Sequence, residues 1–396
     1  MPHIAGSRSR KAGLPPGTPV HIGTRRPEST RIHVMRYDAT RADERELTEI
    51  GDAAALRPAG AGVTWVHVTG VHDVALLGRI GECFGLHPLV LEDISNTDQR
   101  PKLEDYGDYA YLVFKVLHDG AEGHESANAT DLMTGRTTEA SRASVSARGP
   151  RTRVPGVPPN TPPIGETQVE QMSIVIGKDF VLSFEEAEPT AFDAVRARIR
   201  DNRGGIRAQG ADFLAYSLLD AVVDNYFLVL ERFGERIEQL QEELLGRSTR
   251  RTEASLHNLR REMVLLRKSV WPLREVIGTL ERGGSAQFSR ETWLYLRDVY
   301  DHVIHMIDTL ESFHEMLAYM IDLHLLSATN RLNEVIKVIT VIATIFSPPM
   351  LIASIYGMNF KNMPELHWPW GYAFAGGLMI VTAGAMFWFF RRRRWI

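Results

Sequence analysis

The chain has 396 residues, which is enough for two or three domains, and a formal net charge of −4. That near-neutral charge disfavours nucleic acid as a partner, and the single cysteine, Cys83, excludes a disulfide framework and is typical of a reducing compartment. The sequence has no Walker-type phosphate loop and no catalytic constellation, so we expect neither an enzyme nor ATP-driven transport, and no organic cofactor.

The first 250 residues predict a tail followed by a cytoplasmic α/β and helical domain. Residues 1–30 are basic and rich in Gly and Pro, which predicts a disordered tail, and the domain covers 31–250. Residues 73–86 have helical spacing, and five other runs have the length and composition of strands. These runs are RIHVMRY, VTWVHVT, YAYLVFKVL, QMSIVI and FVLSFEE. Residues 119–168 have almost no large apolar side chains and predict a disordered insert.

Helices are predicted after the strands. Two are expected at 212–246 and 253–282, and from about Ser289 neither Gly nor Pro interrupts the chain before Pro348. A continuous helix of that length would be about 90 Å long, which exceeds a single-domain core. We therefore expect a helical stalk over 251–334 that leaves the cytoplasmic domain and continues into a membrane.

Two apolar segments predict a transmembrane hairpin at 335–390. The segments 335–356 and 372–390 are each close to the ~20 residues that cross a bilayer. The alternative, a pair of buried core helices, is disfavoured by the basic tail 391–396, RRRRWI, which is typical of a cytoplasmic membrane interface. Positive charge at both outer ends of the hairpin predicts cytoplasmic N- and C-termini in a multi-pass membrane protein, which we expect in a cell membrane of the bacterial inner-membrane type.

One copy supplies only two spans, which cannot enclose a water-filled path. The first span carries a seam of residues at alternating steps of three and four, and this seam includes Asn, Thr and Ser side chains. Its positions are Asn333, Ile336, Thr340, Ala343, Ser347, Met350 and Ser354. Spacing alone leaves two interpretations open: the lining of a pore in an oligomer, or helix packing through small residues.

The tripeptide Gly357-Met358-Asn359 follows the first span directly. By itself it is typical of a helix C-terminus, with Gly in a left-handed conformation and Asn in the loop. Its context is more specific, because YGMNF is followed by MPEL, a short final span and a basic terminus. With NEVIKVITVIATIF, VWPLREV, RDVYDH and HPLVLEDI upstream, the chain resembles the CorA family of magnesium channels over nearly its whole length.

The resemblance implies an α+β fold in which a cytoplasmic α/β domain is joined by a long stalk helix to a two-helix transmembrane hairpin, assembled as a funnel-shaped homopentamer. It implies Mg²⁺ as the transported ion, the lipid bilayer and further copies of the chain as partners, and Gly357, Met358 and Asn359 as the selectivity filter. No Asp or Glu lies between Val335 and Tyr356. We therefore expect neutral oxygen and amide groups to select the hydrated ion rather than strip its water.

The resemblance also assigns a hydrophobic gate to Ile336, Ile339 and Ala343 and a polar ring to Asn333. The chain departs from the family pattern around two prolines, where Ser347 replaces a larger apolar residue and Met350 a smaller polar one. These two departures leave the position of the tightest constriction open.

Two pairs of carboxylates are implied as regulatory Mg²⁺ sites between neighbouring cytoplasmic domains. Asp93 in LEDI and Asp298 in RDVYDH match one site, and Glu92 and Asp193 match a second. Carboxylates that face one another across an interface repel when the site is empty, and a bound divalent ion removes the repulsion. Without the resemblance these four residues would be interpreted as surface acids.

We therefore expect a channel for passive Mg²⁺ entry that is gated by cytosolic Mg²⁺. A membrane potential of 100 mV supplies roughly 4–5 kcal/mol for a divalent cation, which suffices as a driving force. The sequence leaves open whether this channel also admits Co²⁺ or Ni²⁺. Two alternatives stay open: a transporter of zinc or another divalent cation from the same superfamily, and a membrane-anchored oligomeric scaffold.

Overall fold

The computed structural model describes residues 15, 17–21, 30–47, 56–57, 60, 62–118, 167–186, 191–246, 250–358, 363 and 368–395. The chain divides into two compact units. The first comprises Met1–Leu240 with Ala254–Leu317, and the second comprises Gln241–Glu253 with Ala318–Ile396. The predicted disordered insert lies outside the described residues except for Thr167 and Gln168, and so does most of the predicted N-terminal tail.

A mixed seven-stranded sheet forms the centre of the first unit. The strand order is β2-β1-β3-β7-β6-β5-β4; β3 and β7 are parallel and all other neighbours are antiparallel. The strands are β1 (Arg31–Tyr37), β2 (Ala42–Leu47), β3 (Val63–Thr69), β4 (Lys102–Asp105), β5 (Tyr109–His118), β6 (Gln168–Gly177) and β7 (Phe180–Glu185). The five predicted strand runs are confirmed as β1, β3, β5, β6 and β7.

The two strands that the sequence did not reveal are the two edges of the sheet. β2 has the sequence ADEREL and β4 has the sequence KLED. Short, charged edge strands are a common protection against pairing with another chain. The same charges remove the β-branched and aromatic signal by which the inner strands were predicted.

One face of the sheet is covered by helices α1 (Val74–Phe84) and α2 (Pro88–Ser95). Helix α1 confirms the helical prediction at 73–86 and packs its buried residues, among them Leu77 and Ile80, against the sheet. Helix α2 begins at Pro88, whose fixed φ suits the first helical position, and packs Val90 and Ile94 into the same core. This packing holds the acidic end of α2 beside the β4 edge.

Helices from the second half of the chain complete the first unit. They are α3 (Asp193–Asp201), a 3-10 helix (Arg203–Ala208), most of α4 (Ala211–Gly246) and of α5 (Arg250–Glu281), and the first part of α6 (Arg290–Tyr356). Tyr226 of α4 donates a hydrogen bond to the Lys115 carbonyl of β5 at 2.5 Å, and Phe192 packs edge-on against Trp65 of β3. The helices predicted at 212–246 and 253–282 are confirmed as α4 and α5.

The second unit contains the end of α4, the start of α5, the last part of α6 and helix α7 (Gly371–Arg392). Helix α6 continues through Pro348 and Pro349 to Tyr356. Neither proline has an N–H group, so neither donates to the carbonyl four residues earlier. The predicted spans 335–356 and 372–390 therefore fall within two helices.

Three helices are long and apolar enough to cross a membrane, judged by length and composition alone: Ala211–Leu244, α6 and α7. The most apolar window of the first is 67% buried inside the protein, which makes α4 a core helix. The corresponding windows of α6 and α7 are only 6% and 11% buried. Continuous apolar surface of this size is unfavourable in water and is typical of helices that face lipid or further protein.

Candidate functional site

The predicted filter begins where α6 ends. Gly357 N donates to Ala353 O at 3.0 Å, and Met358 N donates to Ile355 O at 3.2 Å, so the last turn tightens toward a 3-10 geometry. Gly357 is not among the described glycines with positive φ, so the interpretation of a left-handed helix cap is wrong at this position. Asn359 lies outside the described residues.

The predicted pore lining lies on a face of α6 that its own chain does not cover. All eight residues predicted to line the pore are exposed, and the apolar members Ile336, Ile339 and Met350 expose 59%, 61% and 67% of their surface. The less exposed residues of this stretch lie on another face, at 337, 341, 344, 345, 348, 349, 352 and 356. The two faces are turned by roughly 160° from one another about the helix axis. Packing within one chain therefore does not account for the seam, which is available for contact with lipid, with other copies or with a pore.

Two kinds of polar group are available in this stretch: threonine hydroxyls, and backbone carbonyls that lose their usual donors at the prolines. Thr340 Oγ1 donates to the carbonyl of Ile336, and Thr344 Oγ1 donates to the carbonyl of Thr340, both at 2.8 Å. Each hydroxyl oxygen keeps lone pairs that can accept a further hydrogen bond. Pro348 and Pro349 free the carbonyls four residues earlier from their usual donors. The described span thus offers neutral acceptors, which can bind the water shell of a cation without replacing it.

The outer ends of the two predicted spans meet within the second unit. Lys337 Nζ lies 3.3 Å from the Arg394 carbonyl oxygen. Arg392 lies over the ring of Trp388 and Arg393 over the ring of Phe389. Basic and aromatic side chains are therefore concentrated at one end of the hairpin, the arrangement typical of a cytoplasmic membrane interface.

Asp93, at the acidic end of α2, accepts a hydrogen bond from its own chain at each carboxylate oxygen. Gln99 Nε2 donates to Asp93 Oδ1 at 2.6 Å, and Lys102 Nζ lies 2.6 Å from Asp93 Oδ2. Lys102 Nζ also lies 2.7 Å from Glu104 Oε1. Burial by itself lowers the pKa of Lys102, but the hydrogen bonds to Asp93 and Glu104 outweigh burial and raise it. The ammonium group therefore stays charged beside a carboxylate that was predicted to bind a metal ion.

Glu92 and Asp193, the second predicted pair, make different contacts. Glu92 Oε2 accepts a hydrogen bond from Gly17 N at 2.6 Å, so this part of the predicted tail lies against α2. Asp193 is exposed at the start of α3 and forms an ion pair with Arg196 at 2.7 Å. Among the contacts described for the chain, none joins Glu92 to Asp193, so their pairing stays a prediction.

Asp298 lies on α6 beside a group of possible metal ligands that the sequence analysis missed. Its Oδ2 atom is 4.0 Å from His302 Nε2, one helical turn away. His302 in turn lies with Asp220 and Asp224 of α4, and one ligand atom from each of these three residues lies within 4.8 Å of the others. All four side chains belong to the first unit.

The electrostatics of this group favour a cation. Burial and the neighbouring Asp224 raise the pKa of Asp220, with Asp298 acting in the same direction and Arg198 and His302 opposing it. Two carboxylates held together resist ionisation of both, and a divalent ion would relieve that repulsion. Two carboxylates with an imidazole form a ligand set that suits Co²⁺, Ni²⁺ or Zn²⁺ better than Mg²⁺, which prefers oxygen ligands.

A weak signal for this group was present in the sequence. DAVVD on α4 and DVYDH on α6 each place two ligand residues four positions apart, on one face of a helix. Only the packing of α4 against α6, seen in the contact of Phe227 with His302, brings the two pairs together. Exposed acids at such spacing are common, so the pattern carried no prediction.

Comparison with known proteins gives consistent matches over almost the full chain. The profile of the family described as CorA-like Mg²⁺ transporter protein matches residues 60–134 and 136–392. The cobalt/magnesium transport protein CorA of Thermotoga maritima is 40% identical over 388 residues, which cover 98% of each chain.

Solved structures agree on the fold. The complete structure of the CorA magnesium transporter from Methanocaldococcus jannaschii aligns with a TM-score of 0.70 at 20% identity and covers 92% of this chain and 98% of that one. The cytoplasmic domain of ZntB from Vibrio parahaemolyticus aligns with a TM-score of 0.52 at 11% identity, over 76% of this chain and 99% of that domain. The predicted fold, a soluble α/β domain with a long helix and a helical hairpin, is confirmed at this level.

Proposed function

Because the chain belongs to the family of CorA-like Mg²⁺ transporter proteins, which are membrane transporters and not enzymes, we propose that it is a channel for passive Mg²⁺ entry. The observation that carries this proposal is the uncovered seam of α6, which leads along the helix to Gly357 and Met358 with Asn359 next in sequence. Such a seam becomes a pore when several copies surround one axis.

We place the pore in a homopentamer in a membrane of the bacterial inner-membrane type, with cytoplasmic N- and C-termini. The apolar faces of α6 and α7 that are exposed in one chain would be covered by neighbouring copies and lipid. The basic end of the hairpin, with Lys337 beside Arg394, supports a cytoplasmic position for the C-terminus.

The filter acts on the hydrated ion in this proposal. Mg²⁺ releases its water reluctantly, and the stretch from Val335 to Tyr356 contains no carboxylate that could replace it. Rings of Asn359 amides and Gly357 carbonyls would instead accept hydrogen bonds from the coordinated water and discriminate by the size and charge of the hydrated ion.

The filter is tested by Asn359→Ala. Because the mutation removes the amide ring without touching the helices, Mg²⁺ uptake into proteoliposomes should fall close to background while size exclusion shows an intact oligomer. Asn362→Ala, three residues further along the sequence, is the matched control and should transport normally. Uptake by the Asn359 variant within about twofold of the parent would contradict the assignment of this side chain to the filter.

Regulation is assigned to the carboxylates of the first unit. Asp93 and Asp298, contributed by neighbouring copies, would share Mg²⁺ when the cytosolic concentration is high, with Glu92 and Asp193 as the weaker pair. Within one chain the contacts described for Asp93 and Asp298 do not join them, which agrees with a site formed between copies. Bound Mg²⁺ would favour the closed state by its higher affinity for that state.

Co²⁺ is a second candidate for a regulatory or transported ion, and the group of Asp220, Asp224 and His302 favours it. An imidazole ligand increases affinity for Co²⁺ much more than for Mg²⁺. His302→Gln should therefore raise the Co²⁺ concentration that half-inhibits Mg²⁺ uptake by about tenfold, within the range known for ligand-shell changes, and leave inhibition by Mg²⁺ unchanged.

His305→Gln is the matched control for that measurement, because His305 lies on the same helix and also contacts Phe227. Both ions should inhibit Mg²⁺ uptake by this control at the same concentrations as in the parent. If His302→Gln shifts the Mg²⁺ and Co²⁺ curves equally, the imidazole is not an ion ligand and acts only on the packing between α4 and α6.

A further inference from the structure

The contacts of Lys102 give this residue a role that its position in an edge strand does not suggest. Its ammonium group lies 2.6 Å from Asp93 Oδ2 and 2.7 Å from Glu104 Oε1, and it is 5.8 Å from the centre of the Tyr111 ring. The group is therefore held between two carboxylates of its own chain, with an aromatic face below it.

Both oxygens of the Asp93 carboxylate already accept a hydrogen bond in this arrangement, and one of the two donors is a cation. Gln99 donates to Oδ1 and Lys102 to Oδ2, and the Gln171 side chain donates to the Asp93 carbonyl at 3.0 Å. A divalent ion that binds at Oδ2 would meet a positive charge at hydrogen-bond distance. The ammonium group therefore opposes binding of the ion for as long as it stays beside Asp93.

Glu104 can hold the ammonium group of Lys102 after it leaves Asp93. It already accepts a hydrogen bond from Lys102, and its other oxygen accepts one from Tyr106 Oη at 3.0 Å, which fixes the carboxylate. A small rotation of the Lys102 side chain would break its ion pair with Asp93 and keep its ion pair with Glu104. The negative charge of Asp93 would then be free to bind the ion.

We propose that Lys102 is a built-in competitor for the divalent cation at Asp93, and that it sets the concentration at which the channel senses cytosolic Mg²⁺. The inference rests on the proposed function, in which Asp93 ligates the regulatory ion. Lys102 neutralises much of the charge of Asp93 when no ion is bound. Repulsion between Asp93 and Asp298 of neighbouring copies would then destabilise the ion-free closed state less than two unpaired carboxylates would.

Two substitutions with opposite expected signs test the competition in the full-length protein in proteoliposomes. Lys102→Met keeps the apolar stem and removes the charge, so the internal Mg²⁺ concentration that half-inhibits uptake should fall by about fivefold, the upper range for a partly exposed charge pair. Glu104→Gln leaves Lys102 with only Asp93 as a charged partner, so the same concentration should rise. Lys178→Met, at an exposed turn of the same sheet, is the matched control and should leave it unchanged.

Background substitutions separate this inference from the proposed sensor. Asp93→Asn should shift inhibition by itself, and Lys102→Met should have no further effect when added to it. If Asp93→Asn shifts inhibition but Lys102→Met leaves it unchanged or weakens it, the competition is wrong and the sensor stands. If Asp93→Asn has no effect, both are wrong.

A second readout guards against a loss of folding. The melting temperature of each purified variant, measured with increasing Mg²⁺, reports ion binding without transport. Lys102→Met should reach half of its Mg²⁺-induced stabilisation at a lower Mg²⁺ concentration than the parent. Equal concentrations in parent and variant would overturn the proposal even if uptake were altered.

Discussion

At the scale of single residues, the carboxylates predicted to sense Mg²⁺ also contact other side chains of their own chain. Asp93 is both the predicted sensor and the partner of Lys102, and Asp298 lies beside His302. The sequence identified the acids through family motifs, but it could not identify their partners. Lys102 is nine positions from Asp93, and the sheet edge, not the sequence spacing, brings the two groups together.

Asp212 shows how one carboxylate at a helix start stabilises the first unit. Its Oδ2 atom accepts hydrogen bonds from Ser289 N at 3.0 Å and from Thr292 Oγ1 at 2.7 Å, immediately before and within the first turn of α6. Burial raises the pKa of Asp212, but the hydrogen bonds from Thr292 and Ser289 outweigh it and the pKa is lowered. The charged form is therefore the one that the fold stabilises.

A pH dependence follows from that direction. A carboxyl with a lowered folded-state pKa stabilises the fold fully above its unfolded value, about 3.9, and the contribution is lost as the pH falls through the folded value. Asp212→Asn should lower the melting temperature by a few degrees at pH 7, and the difference from the parent should shrink below about pH 4.

Thermal melts from pH 3 to pH 8 check this expectation. Asp308→Asn is the matched control, because Asp308 is exposed on the same α6 helix and its carboxylate has no contact described for it in the structure. Its melting temperature should follow the parent at every pH. A difference for Asp212→Asn that stays constant down to pH 3 would mean that the charge of Asp212 is irrelevant to its bonds.

At the scale of elements, the sequence predicted what depends on local pattern and missed what depends on neighbours. The inner strands were found because β-branched and aromatic residues form runs of strand length, and α4 and α5 because long helix-compatible runs follow them. The edge strands β2 and β4 were missed because they consist mostly of charged residues, which protect a sheet edge from pairing but do not resemble an inner strand. Helix α4 also contains a window apolar enough for a membrane, and only its burial within the first unit shows that it is a core helix.

The candidate site also has one part that the local sequence pattern predicted and one part that depends on packing between elements. The seam of α6 was predicted from its spacing, and the structure adds that its own chain leaves it uncovered. The group of Asp220, Asp224 and His302 requires two helices far apart in sequence to pack together, so no local pattern could specify it. The order of residues along one helix is local information, whereas the choice of its neighbour is not.

At the scale of the whole molecule, the proposed regulation requires that an ion bound to the first unit changes the stability of the closed state. A ligand shifts a conformational equilibrium only by its difference in affinity between the two states. If Asp93 and Asp298 of neighbouring copies share Mg²⁺ in the closed state, each interface adds a preference of about 1 kcal/mol, and several such interfaces together produce a decisive bias. The hydrated-ion filter at Asn359 would then be needed only for selection, and the sensor only for closure.

Removing both carboxylates separates these two roles. Asp93→Asn combined with Asp298→Asn should leave Mg²⁺ uptake at low internal Mg²⁺ intact, because no pore residue changes. Uptake should then persist as internal Mg²⁺ is raised through the millimolar range, where the parent closes. The matched control is Glu82→Gln combined with Asp301→Asn, two exposed acids on α1 and α6 that carry the same charge change. An inhibition curve for Asp93→Asn/Asp298→Asn that coincides with that of the parent would place the gating response outside this carboxylate pair, and a pore that closes on its own at Ile336 and Ile339 would become the simpler account.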